Sequence, residues 1–126
     1  MDNKESANYR NLVAALQLVA LAYDKQIAAL PAFVSPPDEV ALIFDDSFRA
    51  AIHIVQDLGY PQEIIHRLYE LDKMLSLMSE DRKFWTLEAL NRSVEWKNCR
   101  VLAQGILVGL NELVGLPNLD FIRFVK

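Results

Sequence analysis

Residues 35–59 read SPPDEVALIFDDSFRAAIHIVQDLG, and the way they sort decides the fold. The stretch opens with Ser35, two prolines and Asp38, which is a helix start. Proline's fixed φ suits the first turn, where its missing N–H would have no partner, and a carboxylate three residues after a hydroxyl cap favours the same geometry. Gly59 supplies the stop, because glycine accepts the left-handed conformation that ends many helices. Turned at about 100° per residue, the segment divides into two sides. Val40, Ile43, Phe44, Phe48, Ala51, Ile52, Ile54 and Val55 fill one. Asp38, Glu39, Asp45, Asp46, Arg49, His53, Gln56 and Asp57 occupy an arc of roughly 120° on the other. Such a helix has to bury its apolar side against further elements of the same chain.

The flanking sequence supplies them. Upstream, Tyr9, Leu12, Leu16, Val19, Tyr23, Ile27 and Leu30 recur at helical spacing, which predicts a helix from about Ser6 to Leu30, closed by Pro31. Downstream, a helix beginning near Pro61 carries Ile64, Leu68, Leu71, Leu75 and Met78 at alternating four and three residues, the spacing of a bundle seam. Phe84 to Arg92 reads as a connector with one turn capped by Thr86. Ser93 then caps a final helix reaching about Val114, before Gly115 and Pro117. In the tail, Leu119, Phe121, Ile122, Phe124 and Val125 are too apolar to be left in water, so the tail is expected to dock on the helices. Short connections favour antiparallel neighbours. The expectation is an all-α chain forming one domain over residues 1–126, an antiparallel four-helix bundle with a connector turn and a docked tail.

Charge and length narrow the function. A chain of 126 residues supports one hydrophobic core and is short for two. The net charge of -4 is concentrated: Asp38, Glu39, Asp45, Asp46 and Asp57 face only Arg49 within residues 36–58, and the other twelve acids are matched by twelve bases. Without a basic patch, nucleic acid is not an expected partner. The most apolar run, Leu12 to Tyr23, is too short to span a bilayer, so no membrane partner is expected. The lone Cys99 cannot form an internal disulfide and no charged-then-apolar leader is visible, from which a cytoplasmic location is expected.

Like charges on one helix face store repulsion that a basic partner relieves, and they steer it on approach. Asp38, Glu39, Leu42, Asp45, Asp46, Arg49 and His53 are therefore the candidate partner-binding residues; the plainer reading is a solvated face. A second candidate surface is apolar. In the last helix Cys99, Leu102, Ile106, Leu110 and Leu113 form the main stripe, yet Val94, Val101 and Val108 repeat every seven residues on another face. Leu18 and Leu21 likewise stand away from the first helix's stripe. Either the tail covers these positions or they form a homodimer interface. Gly105 and Gly109, four apart, allow close helix approach.

Signals for chemistry are sparse. Glu63 and His66 have the Glu-x-x-His spacing of carboxylate-bridged di-metal bundles, but the second such pair is missing, since His53 has Ala50 at the corresponding position. A metal-assisted bundle enzyme is the alternative this pair supports. Cys99 falls on the apolar stripe, as an inert core thiol does. Phe84, Trp85 and Trp96 either anchor a partner or cap the core. No catalytic set, metal site or cofactor motif is expected.

Two stretches carry a resemblance: Pro37-Asp38-Glu39-Val40-Ala41-Leu42 followed by Asp45-Asp46, and Phe84-Trp85-Thr86 with Glu88-Ala89-Leu90, Glu95-Trp96, Arg100 and Ala103. They resemble small, uncharacterised bacterial helical proteins of a kind that serve as immunity partners of toxins. The resemblance implies a helical, non-enzymatic protein-binding role and assigns no individual residue.

Overall fold

The computed structural model describes residues 6–124. Its helices are α1 (Ala7–Ala20), α2 (Tyr23–Ala29), α3 (Pro36–Asp57), α4 (Gln62–Met78), α5 (Leu87–Arg92) and α6 (Val94–Gly109), with one 3-10 turn at Arg82–Phe84. No strand occurs among the described residues, so the chain is all-α. No helix among them is long and apolar enough to cross a membrane.

The centre of the molecule is α1. It packs against both α3 and α6, while α4 packs on α6 and α3. Nine of its fourteen residues are buried, from Tyr9 and Leu12 to Val19 and Ala20. A helix apolar around most of its circumference is one covered on more than one side. That corrects the expectation for Leu18 and Leu21, which are buried within this chain and not free to face a second copy. Their place off the main stripe marks a second covered face of α1.

The single helix expected over residues 6–30 is in fact two. Leu21 and Ala22 are extended, with ψ of 149° and 153°, and separate α1 from α2. Neither glycine nor proline marks the break; tertiary hydrogen bonds do. The carbonyls released at the end of α1 are met by side chains from elsewhere. Gln26 Nε2 donates to the oxygens of Leu18 (3.0 Å) and Val19 (3.3 Å), Gln104 Nε2 to Ala20 (3.1 Å) and Arg100 Nε to Leu21 (2.7 Å). Buried carbonyls need such partners, and here α6 provides two of the three donor side chains.

The predicted termini hold with two changes. Ser6, Thr86 and Ser93 each accept a hydrogen bond from the backbone N–H three residues on, and Gly59 ends α3 at a φ of +79°. Ser35 makes no side-chain cap, so the start of α3 rests on its prolines and the first-turn acids. The last helix stops at Gly109, short of Val114, because Asn111 takes the left-handed conformation (φ +61°). Asn111 N–H then bonds to Val108 O (3.0 Å) and Glu112 N–H to Leu107 O (2.9 Å), a Schellman turn. Leu113, assigned by periodicity to the main stripe, is thereby left outside the helix and 83% exposed.

The same turn delivers Glu112 to a polar cluster at this end of the molecule. Tyr9 donates to its Oε2 (3.0 Å), Arg10 to its Oε1 (2.9 Å), and the Tyr60 hydroxyl donates to Leu110 O (3.0 Å). Gly109 has a packing reason: a Cβ there would overlap the Ile64 side chain of α4. In the tail, Leu119, Phe121, Ile122 and Phe124 are partly buried against the core, and Pro117 and Leu119 lie beside Lys25, Ala28 and Ala29 of α2. Val125 is outside the described residues.

Candidate functional site

Where α3 runs beside α4, the two helices leave an open groove of about 560 Å³. From α3 it is lined by Asp38, Ala41, Leu42, Phe44, Asp45 and Arg49, and from α4 by Asp72, Leu75 and Ser76, with Ser79 just past its end. Apart from Phe44, which is buried, the residues of each set are spaced three and four apart, so each forms one stripe. Trp85, just beyond the 3-10 turn, completes the lining.

Trp85 is held firmly. Its indole N–H donates to Met78 O (2.9 Å) at the end of α4, and its ring meets Trp96 edge to face at 5.5 Å. Trp96 is buried and donates in turn to Phe84 O (2.7 Å). The aromatic cluster thus does two things: Trp96 fills the core, while Trp85 presents a surface to the groove. On the other side of Phe44, Phe48 stacks on it at 5.5 Å and meets Tyr69 of α4 edge-on at 5.2 Å, joining the two helices beside the groove.

Three carboxylates and one guanidinium set the groove's electrostatics. Arg49 Nε donates to both oxygens of Asp45, at 3.0 and 3.1 Å, one helical turn away. The Asp72 carboxylate forms no hydrogen bond or salt bridge among the described residues. Burial, and then the nearby charge of Asp45, push the Asp72 carboxyl above the usual aspartate value, with Arg49 acting in the opposite direction.

The expected partner-binding residues separate into two stripes. Asp38, Leu42, Asp45 and Arg49 line the groove. Glu39, Asp46 and His53, spaced by sevens, lie outside it, with Asp46 and His53 exposed and Glu39 half-buried. Asp72, Ser76 and Ser79 were missed, whereas Trp85 was named as an anchor or a core cap and is the aromatic that lines the groove. The signal was present, since Asp72, Leu75, Ser76 and Ser79 fall at i, i+3, i+4 and i+7 beside the α4 seam. Yet no single-helix pattern says which stripe of α4 meets α3.

Of the apolar candidates, Val94, Val101 and Val108 are 64, 58 and 71% exposed, so the docked tail leaves them open. Cys99 is buried with its sulfur 3.8 Å from that of Met78, and burial pushes its thiol up to about 12. Glu63 is paired with Arg67 at 2.7 Å and His66 is exposed. Among the described residues no three His, Cys, Asp or Glu side chains come together in a way that could hold a metal ion. No protein family, no curated protein and no solved structure matches the chain.

Proposed function

We propose that the protein is a non-enzymatic binding module that engages a basic protein partner through the acidic face of α3 and the groove beside it. The observation that supports this reading is the gathering of Asp38, Asp45 and Asp72 around an apolar floor with one arginine among them. A groove with three carboxylates against one guanidinium attracts cations over several ångströms and gains contact area once they arrive. In its specific form the partner is a basic toxin that the protein neutralises as an immunity protein in a reducing cytoplasm, the role implied by the sequence resemblance. The long helices α1, α3, α4 and α6 then serve as an antiparallel bundle that mounts the groove rigidly.

The test compares proteins captured by the wild type and by the combined Asp38→Asn, Asp45→Asn and Asp46→Asn variant from lysate of the source cell. Loss of a salt-sensitive partner from the variant is the expected result. The same partners at the same yields would overturn the reading.

A second reading, compatible with the first, is a homodimer through α6. It rests on the exposure of Val94, Val101 and Val108 in a single stripe.

A further inference from the structure

The groove is as much apolar as acidic, and the two kinds of surface are arranged in order. Leu42 and Trp85 offer apolar contact above the buried Leu75, Leu42 being 53% exposed in a helix whose other large apolar residues are mostly covered. Asp38, Asp45 and Asp72 stand among them. Along α3 the lining runs from Asp38 to Arg49, about 16 Å or three helical turns. This length matches one face of a short helix laid lengthwise along the groove.

Arg49 shows what the acidic side accepts. Its guanidinium already bonds both oxygens of Asp45, but the pair is exposed, 74% on the arginine side and 39% on the aspartate side. Exposed pairs one turn apart contribute little and exchange readily. Asp72 has no such bond of its own. One guanidinium thus stands among three carboxylates, and it bonds only Asp45.

We infer that the groove seats an amphipathic basic helix of a protein partner, its apolar side on Leu42 and Trp85 and one arginine or lysine at Asp72. The inference rests on the reading of the protein as a partner-binding module and adds the mode of binding. Charge selects the occupant: a nucleic acid or an acidic segment meets repulsion here, and an uncharged apolar helix leaves Asp72 without a counterion.

The probe is a blocked peptide of three to four helical turns, built from alanine, with leucines at i and i+4 and an arginine at i+7. Its control replaces that arginine with citrulline, which keeps the shape and removes the charge. Binding is read by titration, and its place by amide chemical-shift mapping. The wild type is expected to prefer the arginine peptide by about tenfold, the worth of one charge-assisted contact. Shifts should fall on residues 38–49 and 72–79. Asp72→Asn is expected to abolish the preference, and Asp46→Asn, outside the groove, to leave it within about twofold. Thermal melts of both variants confirm that they fold.

Equal binding of the two peptides overturns the inference. So does a preference unchanged in Asp72→Asn, absence of binding at millimolar peptide, or mapping to the α6 valines. Failure of the broader reading is distinguished by the capture experiment. A partner lost from the combined Asp38, Asp45 and Asp46 variant but retained fully by Asp72→Asn leaves an acidic-face module standing and removes the groove mode.

Discussion

Asp72 couples stability to function at the scale of one side chain. Its carboxyl is raised by burial and by Asp45, so the folded chain holds that proton at a pH where the unfolded chain has released it. Protonation therefore favours folding. The contribution of this group is fully present below the ordinary aspartate value and is lost as pH rises through the raised folded value. At neutral pH the charge is a small cost. Asp72→Asn removes it and is expected to raise stability at pH 7 by a few tenths of a kcal/mol, a typical size for a substitution in a partly solvated position. Near pH 3 the two proteins should converge. Urea midpoints at both pH values check this, and a variant less stable at pH 7 would mean that Asp72 is held by a favourable partner. A charge retained at a cost in stability is what a binding surface often carries, and among the described residues no arginine bonds this one directly.

At the scale of the helix, the α1–α2 break shows what a single residue from another element can hold. Arg100 donates to Leu21 O at 2.7 Å, and burial lowers its pKa below the ordinary arginine value while leaving its positive charge at the carbonyl end of α1. Arg100→Met preserves much of the aliphatic packing and leaves the Leu21 carbonyl without this donor, and also removes the longer bond from Arg100 Nη2 to Leu90 O (3.4 Å). A hydrogen bond from a charged group is worth about 1.5–3 kcal/mol, so a loss of that order in unfolding free energy is expected, with faster amide exchange confined to residues near 18–26. A loss below about 0.5 kcal/mol would show that water replaces the guanidinium at no cost. The same feature explains what could be read from the sequence. Helices α3 and α4 were legible because their boundaries are local: prolines before α3, Gly59 after it, a periodic seam through α4. The break at Leu21 was not, because its donors Gln26, Gln104 and Arg100 are brought there by the folded chain and leave no trace in residues 20–23. Asn111 ended α6 early for a related reason. Asparagine enters the left-handed region less readily than glycine, so Gly115 looked the better stop until the Glu112 contacts with Tyr9 and Arg10 are taken into account. Half of the groove was legible as the acidic stripe of α3, and the half on α4 depended on helix packing.

For the whole molecule the open question of assembly falls on α6. Of the five residues expected at an interface, Leu18 and Leu21 are consumed by the internal packing of α1, and Val94, Val101 and Val108 stay exposed. Their spacing is symmetric about Val101. An antiparallel pairing of α6 with its copy across a two-fold axis through Val101 sets Val94 against the partner's Val108, so one short stripe meets the self-complementarity that a two-fold interface demands. The expected result for the wild type at tens of micromolar is a light-scattering mass of twice the 14.4 kDa chain. Val101→Glu places two like charges at the axis and should give monomers, while its thermal stability as a monomer changes little because the position is already in water. Retention of the doubled mass in the variant would move the interface elsewhere. A monomeric wild type would remove the dimer and leave the three valines as isolated exposed apolar residues of the kind most protein surfaces carry. Dimerisation through α6 also leaves the α3–α4 groove open, since its lining contains no α6 residue. Val101→Glu is therefore expected to bind the arginine peptide as the wild type does, within about twofold, as sites with no shared contacts do. A simultaneous loss of mass and of peptide binding would instead place the two surfaces in one interface.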